Sequence, residues 1–296
     1  MINRGGEPHY ERMYTMKRLS AIILAAALLL SFASCSSQQD TKSESADKAA
    51  KQTAETNRET IYQVALLQSI TQGYYDGIIK VSELKEHGDI GIGTFEGVNG
   101  EMIVLDGTVY QALGDGSVQV AADDETVPFS NVTFFDSDVK EDIGNIKDIN
   151  ALKDALTKTV EKNGKNMFAF VKLSGEFSKM NVRSEIKQEK PYKSLDKALA
   201  TDQREFNYDN VKGTVVALYC PDYMGGLNTP GWHFHFISDD KKKGGHILEL
   251  AFDSAQVEYD ITPEFDMCLT DNEDFQKMEL SKDVSSAIKK VETNDD

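Results

Sequence analysis

Three histidines lie close together in the second half of the sequence, at a spacing that suits a shared site. They are His233, His235 and His246, and Phe234 and Phe236 alternate with the first two. Residues i and i+2 of a β-strand point to the same side, so His233 and His235 are expected to share one face. The two phenylalanines then face the opposite way, into apolar packing.

His246 begins the next strand-like segment, and a hairpin would return it to the side of the first pair. Three imidazoles on adjacent strands, with further coordination positions open, are typical of catalytic zinc. Nickel, cobalt and iron also accept imidazole, so the pattern predicts a divalent-metal site and zinc is the metal we expect. The alternative is a polar strand face that carries His233 and His235, with His246 beside a loop.

The elements that must position these residues are mostly strands. Apolar spacing predicts helices over residues 61–72, 148–162 and 283–291, and strands include 102–105, 109–113, 167–173, 180–186, 211–218, 232–237 and 246–252. Asp106-Gly107 is a hairpin signal. The expected fold is α+β (mixed α/β) and strand-dominated, with sheet-rich subdomains at 61–190 and 191–296. The histidine site lies on strands of the second, which also carries the C-terminal helix.

The N-terminal residues predict export. Lys17 and Arg18 precede a short apolar run and then Cys35, as in a secretory signal peptide. The run is shorter than the roughly 20 residues of a membrane-spanning helix. Cys35 stands where bacterial lipoproteins are lipidated, although Phe32 replaces the usual leucine, so plain cleavage is the alternative. Within residues 1–35, the segment up to Thr15 is interpreted as an upstream artefact and the rest as the signal peptide.

Residues 36–60 are expected to form a disordered tether, because they are polar and contain no aromatic side chain. Lipidation would leave the protein attached to the extracytoplasmic face of the membrane through its lipid alone. Cys220 and Cys268 follow in the remaining chain. Export permits a disulfide between them, but buried thiols are an equal alternative.

The composition argues against several classes of function. The 296 residues carry a net charge of −17, with 40% hydrophobic and 27% charged residues. Phosphate contacts need a basic face of clustered Lys and Arg, which a chain this acidic is not expected to present, so no nucleic-acid partner is expected. Gly244-Gly245 lacks the lysine and spacing of a P-loop. Neither a His-Glu-x-x-His helix nor a Gly-x-Ser-x-Gly elbow is present.

A set of motifs distributed over residues 60–292 resembles one known family, the bacterial α-acetolactate decarboxylases. The matching segments are Gly88–Phe95, Gly100–Gly107, Tyr110-Gln111, Pro128-Phe129, Arg183, Gln188–Tyr192, Val211–Thr214, Pro230–Asp240 and Gly244–His246. Their order and spacing agree throughout. The resemblance implies a sheet-rich two-domain fold, a homodimer and a zinc enzyme that converts 2-acetolactate to (R)-acetoin and carbon dioxide.

The resemblance also implies the site residues. His233, His235 and His246 match the metal ligands, Glu101 matches a glutamate beside the metal, and Arg183 matches the active-site arginine. Glu292 resembles the family's C-terminal active-site glutamate, on a short motif. Without the family, Glu101 would be interpreted as an exposed hairpin residue, Arg183 as a surface charge and Glu292 as a solvated residue near the terminus. His87, which lies outside this group, is interpreted as a helix C-cap residue.

The implied chemistry fits these residue types. A metal can chelate the ketone and hydroxyl oxygens of acetolactate and stabilise the enediolate that remains when carbon dioxide leaves. Arg183 can hold the carboxylate by two hydrogen bonds, and Glu101 or Glu292 can deliver the proton that sets the product's handedness. Two alternatives stay open: a non-catalytic extracytoplasmic metal-binding lipoprotein, and a related lyase acting on another 2-hydroxy-3-keto acid.

Overall fold

Strands make up most of residues 57–281, the part of the chain that the computed structural model describes. The strands are β1 (Thr60–Val64), β2 (Ile79–Lys80), β3 (Ile90–Thr94), β4 (Glu101–Leu105), β5 (Thr108–Ala112), β6 (Val118–Val120), β7 (Thr126–Val127), β8 (Phe129–Thr133), β9 (Val139–Ile146), β10 (Phe168–Glu185), β11 (Gln203–Cys220), β12 (Gly231–Ser238), β13 (Gly244–Thr262) and β14 (Glu264–Cys268). The helices are α1 (Leu67–Thr71), α2 (Val81–Leu84), α3 (Ile149–Gly164), α4 (Leu195–Asp202) and α5 (Glu273–Gln276), with a 3₁₀ turn at Asp222–Met224. The expected strand-dominated α+β fold is confirmed.

The first sheet has seven strands in the order β14-β1-β8-β3-β4-β5-β6. Only β1 and β14 pair in parallel within it, and its other pairs are antiparallel. Asp106 and Gly107 have φ of 50° and 75°, the left-handed pair that a tight hairpin between β4 and β5 requires. All five residues of each of β3, β4 and β8 are buried. A polar side chain on β4 is therefore held inside the protein.

The second sheet contains three long strands and closes on itself. Its order is β10-β11-β12-β13-β9, and β10 also pairs with β13, so hydrogen bonds join β10, β11, β12 and β13 in a ring. Gly245 permits a close approach of two strands in this ring: its φ is +143°, and a Cβ there would lie 2.4 Å from the backbone oxygen of Arg183. Strand glycines commonly mark such contacts between backbones. The residue before His246 is therefore restricted to glycine by the neighbouring strand.

Alternation along β12 separates two apolar cores. Trp232, Phe234 and Phe236 pack inside the ring with Leu152, Leu156 and Val160 of α3 and other side chains. On the opposite side of the second sheet, side chains of the two sheets form another core, which includes Ile92, Ile103, Phe170, Leu218 and Ile237. His233 and His235 alternate with the aromatic residues of β12, so they face the first sheet. The alternation predicted for His233 to Phe236 is confirmed.

Local differences from the sequence expectations have physical causes. Residues 61–72 were predicted as one helix, which is wrong: they contain β1 and the five-residue α1. The β-branched residues of β1 pair with both β8 and β14, and this pairing outweighs the helical spacing. Residues 167–173 and 180–186 were predicted as separate strands, whereas β10 continues through both. The helix predicted at 148–162 is confirmed as α3, whose N-cap Asp148 accepts a hydrogen bond from the Ala151 amide at 2.8 Å.

The described residues belong to one compact unit. Within it β10 and β11 pair across the boundary proposed at residues 190 and 191, and the two-subdomain division stays a prediction. Thr60, placed in the tether from the sequence, begins β1, and Asn57 donates a hydrogen bond to Glu264 at 2.8 Å. The predicted signal peptide, Cys35, the rest of the predicted tether and the whole of the helix predicted at 283–291 lie outside the described residues. No helix within residues 57–281 is long and apolar enough to cross a membrane.

Candidate metal centre and active site

The three histidine side chains converge on one point between the sheets. His235 on β12 lies directly opposite His246 on β13, and His233 lies two residues away on the same face of β12. His233 Nε2 is 3.1 Å from His235 Nε2 and 3.0 Å from His246 Nδ1. One nitrogen from each ring lies within 4.8 Å of the others. The hairpin inferred from the sequence therefore produces the expected cluster.

The spacing of the nitrogens fits a shared cation. Zinc binds imidazole nitrogen at about 2.0–2.1 Å, which places neighbouring tetrahedral ligands about 3.3 Å apart. Two of the nitrogen pairs have separations of 3.1 and 3.0 Å, close to that value. The three histidines can therefore bind a metal ion. Because imidazole suits zinc, nickel, cobalt and iron alike, the donor set does not distinguish among them.

The first sheet fixes the orientation of one imidazole. The Nδ1 atom of His235 lies 2.7 Å from the backbone oxygen of Met102 on β4. A carbonyl only accepts hydrogen bonds, so Nδ1 carries the proton and Nε2 presents its lone pair to the other histidines. The His235 side chain is fully buried, which keeps this tautomer in place.

The surroundings also keep His233 and His235 neutral. Burial, followed by the charges of Arg183 and Lys153, lowers the pKa of His233 to about 3. Burial lowers the pKa of His235 well below its usual value, and its neighbour His233 adds to the shift. Neutral imidazole is the form that binds metals, so these two histidines can accept a cation without first losing protons.

Glu101 lies beside the histidines. It is the first residue of β4 and is 7% exposed, and its Oε2 atom is 3.3 Å from His235 Nε2. The exposed-hairpin interpretation of this residue is wrong, because β3 and β5 flank β4 on both sides. The preceding residue, Gly100, has φ of +82° and accepts a hydrogen bond from the Thr94 hydroxyl at 2.8 Å. This turn sets Glu101 at the start of a buried strand.

Arg183 occupies the other side of the cluster. It lies opposite His246 in the β10–β13 pairing, so His235, His246 and Arg183 form a row across three neighbouring strands. Its surface-charge interpretation is wrong, since the side chain is 3% exposed. The guanidinium Nη1 donates to Gln203 Oε1 at 3.5 Å, and Nε lies 3.6 Å from Glu185 Oε1. Arg183 is therefore a buried cation held among polar partners.

These groups share one cavity. Its polar side is formed by Thr94, Glu101, Arg183, Glu185, His233 and His246. His235 lies behind them. Glu292 is outside the described residues, and its role stays a prediction.

His87, Cys220 and Cys268 lie apart from the cluster. The His87 ring stacks on Tyr62 with centroids 3.6 Å apart, and the His87 amide donates to Leu84 O after α2. The C-cap interpretation of His87 is wrong, because α2 ends at Leu84 and Lys85 is its C-cap residue. Cys220 is buried and Cys268 is partly exposed, and no disulfide joins them in the described part of the chain.

Glu185 is a member of the site that the sequence analysis missed. It follows Arg183 by two residues on β10, so both side chains lie on the same face of the strand. Its side chain is 6% exposed. The i, i+2 pairing of opposite charges was visible as a signal. However, a charged pair on a strand is usually solvated, whereas this one is buried in the cavity that it shares with Thr94 and Glu101 of the first sheet.

We expect Glu185→Gln to lower the free energy of unfolding by about 3–5 kcal/mol, because it removes a buried counter-charge from Arg183. Glu205→Gln is the matched control: this exposed glutamate lies opposite Arg183 on β11 and is expected to cost under about 0.5 kcal/mol. Urea unfolding monitored by circular dichroism measures both. Equal effects of the two substitutions would contradict a structural role for the Arg183–Glu185 pair.

The fold and the site together define a class: a strand-dominated α+β protein with a buried three-histidine group that opens, beside an arginine and two carboxylates, into a cavity. The model of the family "Alpha-acetolactate decarboxylase" matches residues 61–282. The chain belongs to the α-acetolactate decarboxylase family of enzymes. The resemblance inferred from the motifs is confirmed.

Individual relatives agree over most of the chain. The alpha-acetolactate decarboxylase of Methanosarcina mazei is 39% identical over 234 residues, which cover 79% of this chain and 80% of the relative. That of Brevibacillus brevis is 34% identical over 236 residues, covering 80% and 82%. The crystal structure of the enzyme from Bacillus subtilis strain 168 superposes with a TM-score of 0.76 at 31% identity, covering 79% of this chain and 99% of that one.

Proposed function

We propose that this protein decarboxylates 2-acetolactate to (R)-acetoin and carbon dioxide. The observation that carries the proposal is the row of His235, His246 and Arg183 across three strands, with Glu101 facing it. A cation-binding group, a buried guanidinium and a carboxyl group thus meet in one cavity. The substrate offers a matching partner for each of them. Its ketone and hydroxyl oxygens suit the cation, its carboxylate suits the guanidinium, and one of its carbons must gain a proton from the carboxyl group. The family supports the choice of substrate.

His233, His235 and His246 would hold the metal, which we propose to be zinc. When bound, such an ion supplies Lewis-acid polarisation to substrate oxygens. Arg183 binds the substrate carboxylate with its planar donors and orients the bond that breaks. The bond between C1 and C2 then cleaves, and its electron pair moves toward the ketone oxygen as carbon dioxide leaves. The enediolate that remains needs a proton on C2.

Glu101 is well placed to handle that proton. Its carboxyl group is buried beside the histidines, and a proton donor that approaches from one fixed side yields one enantiomer. Glu292 is the second candidate for this role, on the family's pattern alone. The Thr94 hydroxyl donates a hydrogen bond to Gly100 O and so supports the turn that precedes Glu101.

The cellular setting is proposed from the sequence and the family. The signal-like N-terminus supports export with lipid attachment at Cys35, and the family supports a homodimer. The substrate is then a small acid outside the cytoplasm.

The proposal is tested by adding 2-acetolactate to the purified protein and following acetoin by chiral gas chromatography. We expect (R)-acetoin, loss of activity after dialysis against a chelator, and recovery when zinc is restored. Protein with bound metal that releases no acetoin would overturn the decarboxylase assignment. It would favour the non-catalytic metal-binding alternative.

A further inference from the structure

The cavity is lined by apolar side chains as well as by polar groups. These form what we call the apolar wall: Leu67, Ile70, Val98, Phe129, Leu195 and Leu199. Leu67 and Ile70 belong to α1, and Leu195 and Leu199 to α4. Two short helices therefore supply most of this wall, whereas strands supply most of the polar side.

The α4 leucines are arranged to face the cavity together. Leu195 and Leu199 are four residues apart, which places them on one face of a helix. Leu195 is 7% exposed and Ile70 is 2% exposed, while Leu199 remains partly exposed. α4 also ends in hydrogen bonds to the chain beside β10, including Ile186 N to Asp202 O at 3.0 Å. The wall is thus a fixed surface, and Leu199 is its most accessible member.

The polar groups and the apolar wall match the two ends of a 2-hydroxy-3-keto acid. Such an acid carries its carboxylate, hydroxyl and ketone on three consecutive carbons, and its remaining substituents are alkyl groups. If the acid's carboxylate, hydroxyl and ketone face the histidines and Arg183, its alkyl groups face the apolar wall. Burial of one more methylene there raises the affinity by roughly fourfold, so the space between α1 and α4 directly affects binding.

We propose that this apolar wall selects substrates by the size of the alkyl group on C2, and that Leu199 sets the upper limit. The inference rests on the proposed function, because it assumes that the polar side of the cavity receives the acid's oxygens.

The test compares two unreactive acids that differ by one methylene, 2-hydroxy-2-methylpropanoate and 2-hydroxy-2-methylbutanoate. Calorimetry gives their affinities for the zinc-loaded wild type, Leu199→Ala and Leu199→Phe. We expect the ratio of affinities to shift toward the larger acid by about tenfold in Leu199→Ala, and toward the smaller one by about tenfold in Leu199→Phe. The same shift is expected in kcat/KM for 2-acetolactate and its C2-ethyl homologue.

Leu269→Ala is the control, because Leu269 is 47% exposed and does not line the cavity; it should leave the ratio unchanged. Leu199→Met replaces the alanine variant if that one fails to fold. Because methionine is close to leucine in volume, this variant should shift the ratio of affinities less than twofold, while Leu199→Phe should still shift the ratio toward the smaller acid. Ratios within twofold of wild type in every folded variant would overturn size selection. Shifted affinities without turnover of either keto acid would instead overturn the decarboxylase function and leave size selection standing.

Discussion

His235→Ala is expected to abolish metal retention and turnover together. The substitution removes one of three converging nitrogens and the hydrogen bond from Nδ1 to Met102 O. A Lewis acid contributes several kcal/mol to transition-state stabilisation, and each 1.36 kcal/mol is a factor of ten, so kcat should fall by roughly a thousandfold or more. Elemental analysis after desalting measures bound metal, and acetoin formation measures turnover.

Thermal unfolding provides a readout that does not depend on catalysis. Zinc that binds only the folded protein raises the midpoint temperature of unfolding, so the wild type should respond to added zinc and His235→Ala should not. His87→Ala is the matched control, since His87 stacks on Tyr62 away from the cluster. A His235→Ala protein that retains stoichiometric metal would exclude His235 as a ligand.

Arg183→Lys is expected to reduce kcat/KM by about a hundredfold with unchanged metal content. Lysine keeps the positive charge near Glu185, so the buried pair is not left with a lone carboxylate. It loses the planar fork that binds a carboxylate by two hydrogen bonds, and charged hydrogen bonds contribute about 1.5–3 kcal/mol each. Steady-state kinetics and metal analysis test both halves of the expectation.

Arg204→Lys is the control for the Arg183 variant, because Arg204 is an exposed arginine on the adjacent strand β11. The double variant Arg183→Ala/Glu185→Gln removes both charges of the pair, and its turnover should fall as it does in Arg183→Lys. Retained activity in either Arg183 variant would contradict carboxylate binding by this residue. Lost activity with retained metal separates an enzyme from a non-catalytic metal-binding lipoprotein.

The metal cluster was predictable because its geometry is local. His233 and His235 share a face through the two-residue period of a strand, and a short hairpin brings His246 into register with His235. The hairpin at Asp106-Gly107 was predictable for the same reason. Such features depend on neighbours in the chain, and the sequence displays them directly.

The rest of the site depends on packing between distant segments. Glu101 follows Asn99-Gly100, which resembles an exposed turn, and it is buried because β4 packs against β12 and β13 of the second sheet. Arg183 and Glu185 are buried in the cavity that they share with Thr94 and Glu101 of the first sheet. The strand at 60–64 was mistaken for a helix because its partners, β8 and β14, lie far away in the sequence. Family motifs identified Glu101 and Arg183, whereas the local charge pairing of Glu185 with Arg183 does not indicate that the pair is buried.

The hydrogen bond from His235 to Met102 O joins the two sheets at the metal centre. The second sheet supplies all three imidazoles, but the first supplies the carbonyl that selects the tautomer and the adjacent Glu101. A partly folded chain in which only one sheet had formed would lack either the nitrogens or the groups that orient them. Firm metal binding therefore requires that the two sheets have already packed together, so the metal content of a sample reports how much of the chain has completed its tertiary fold.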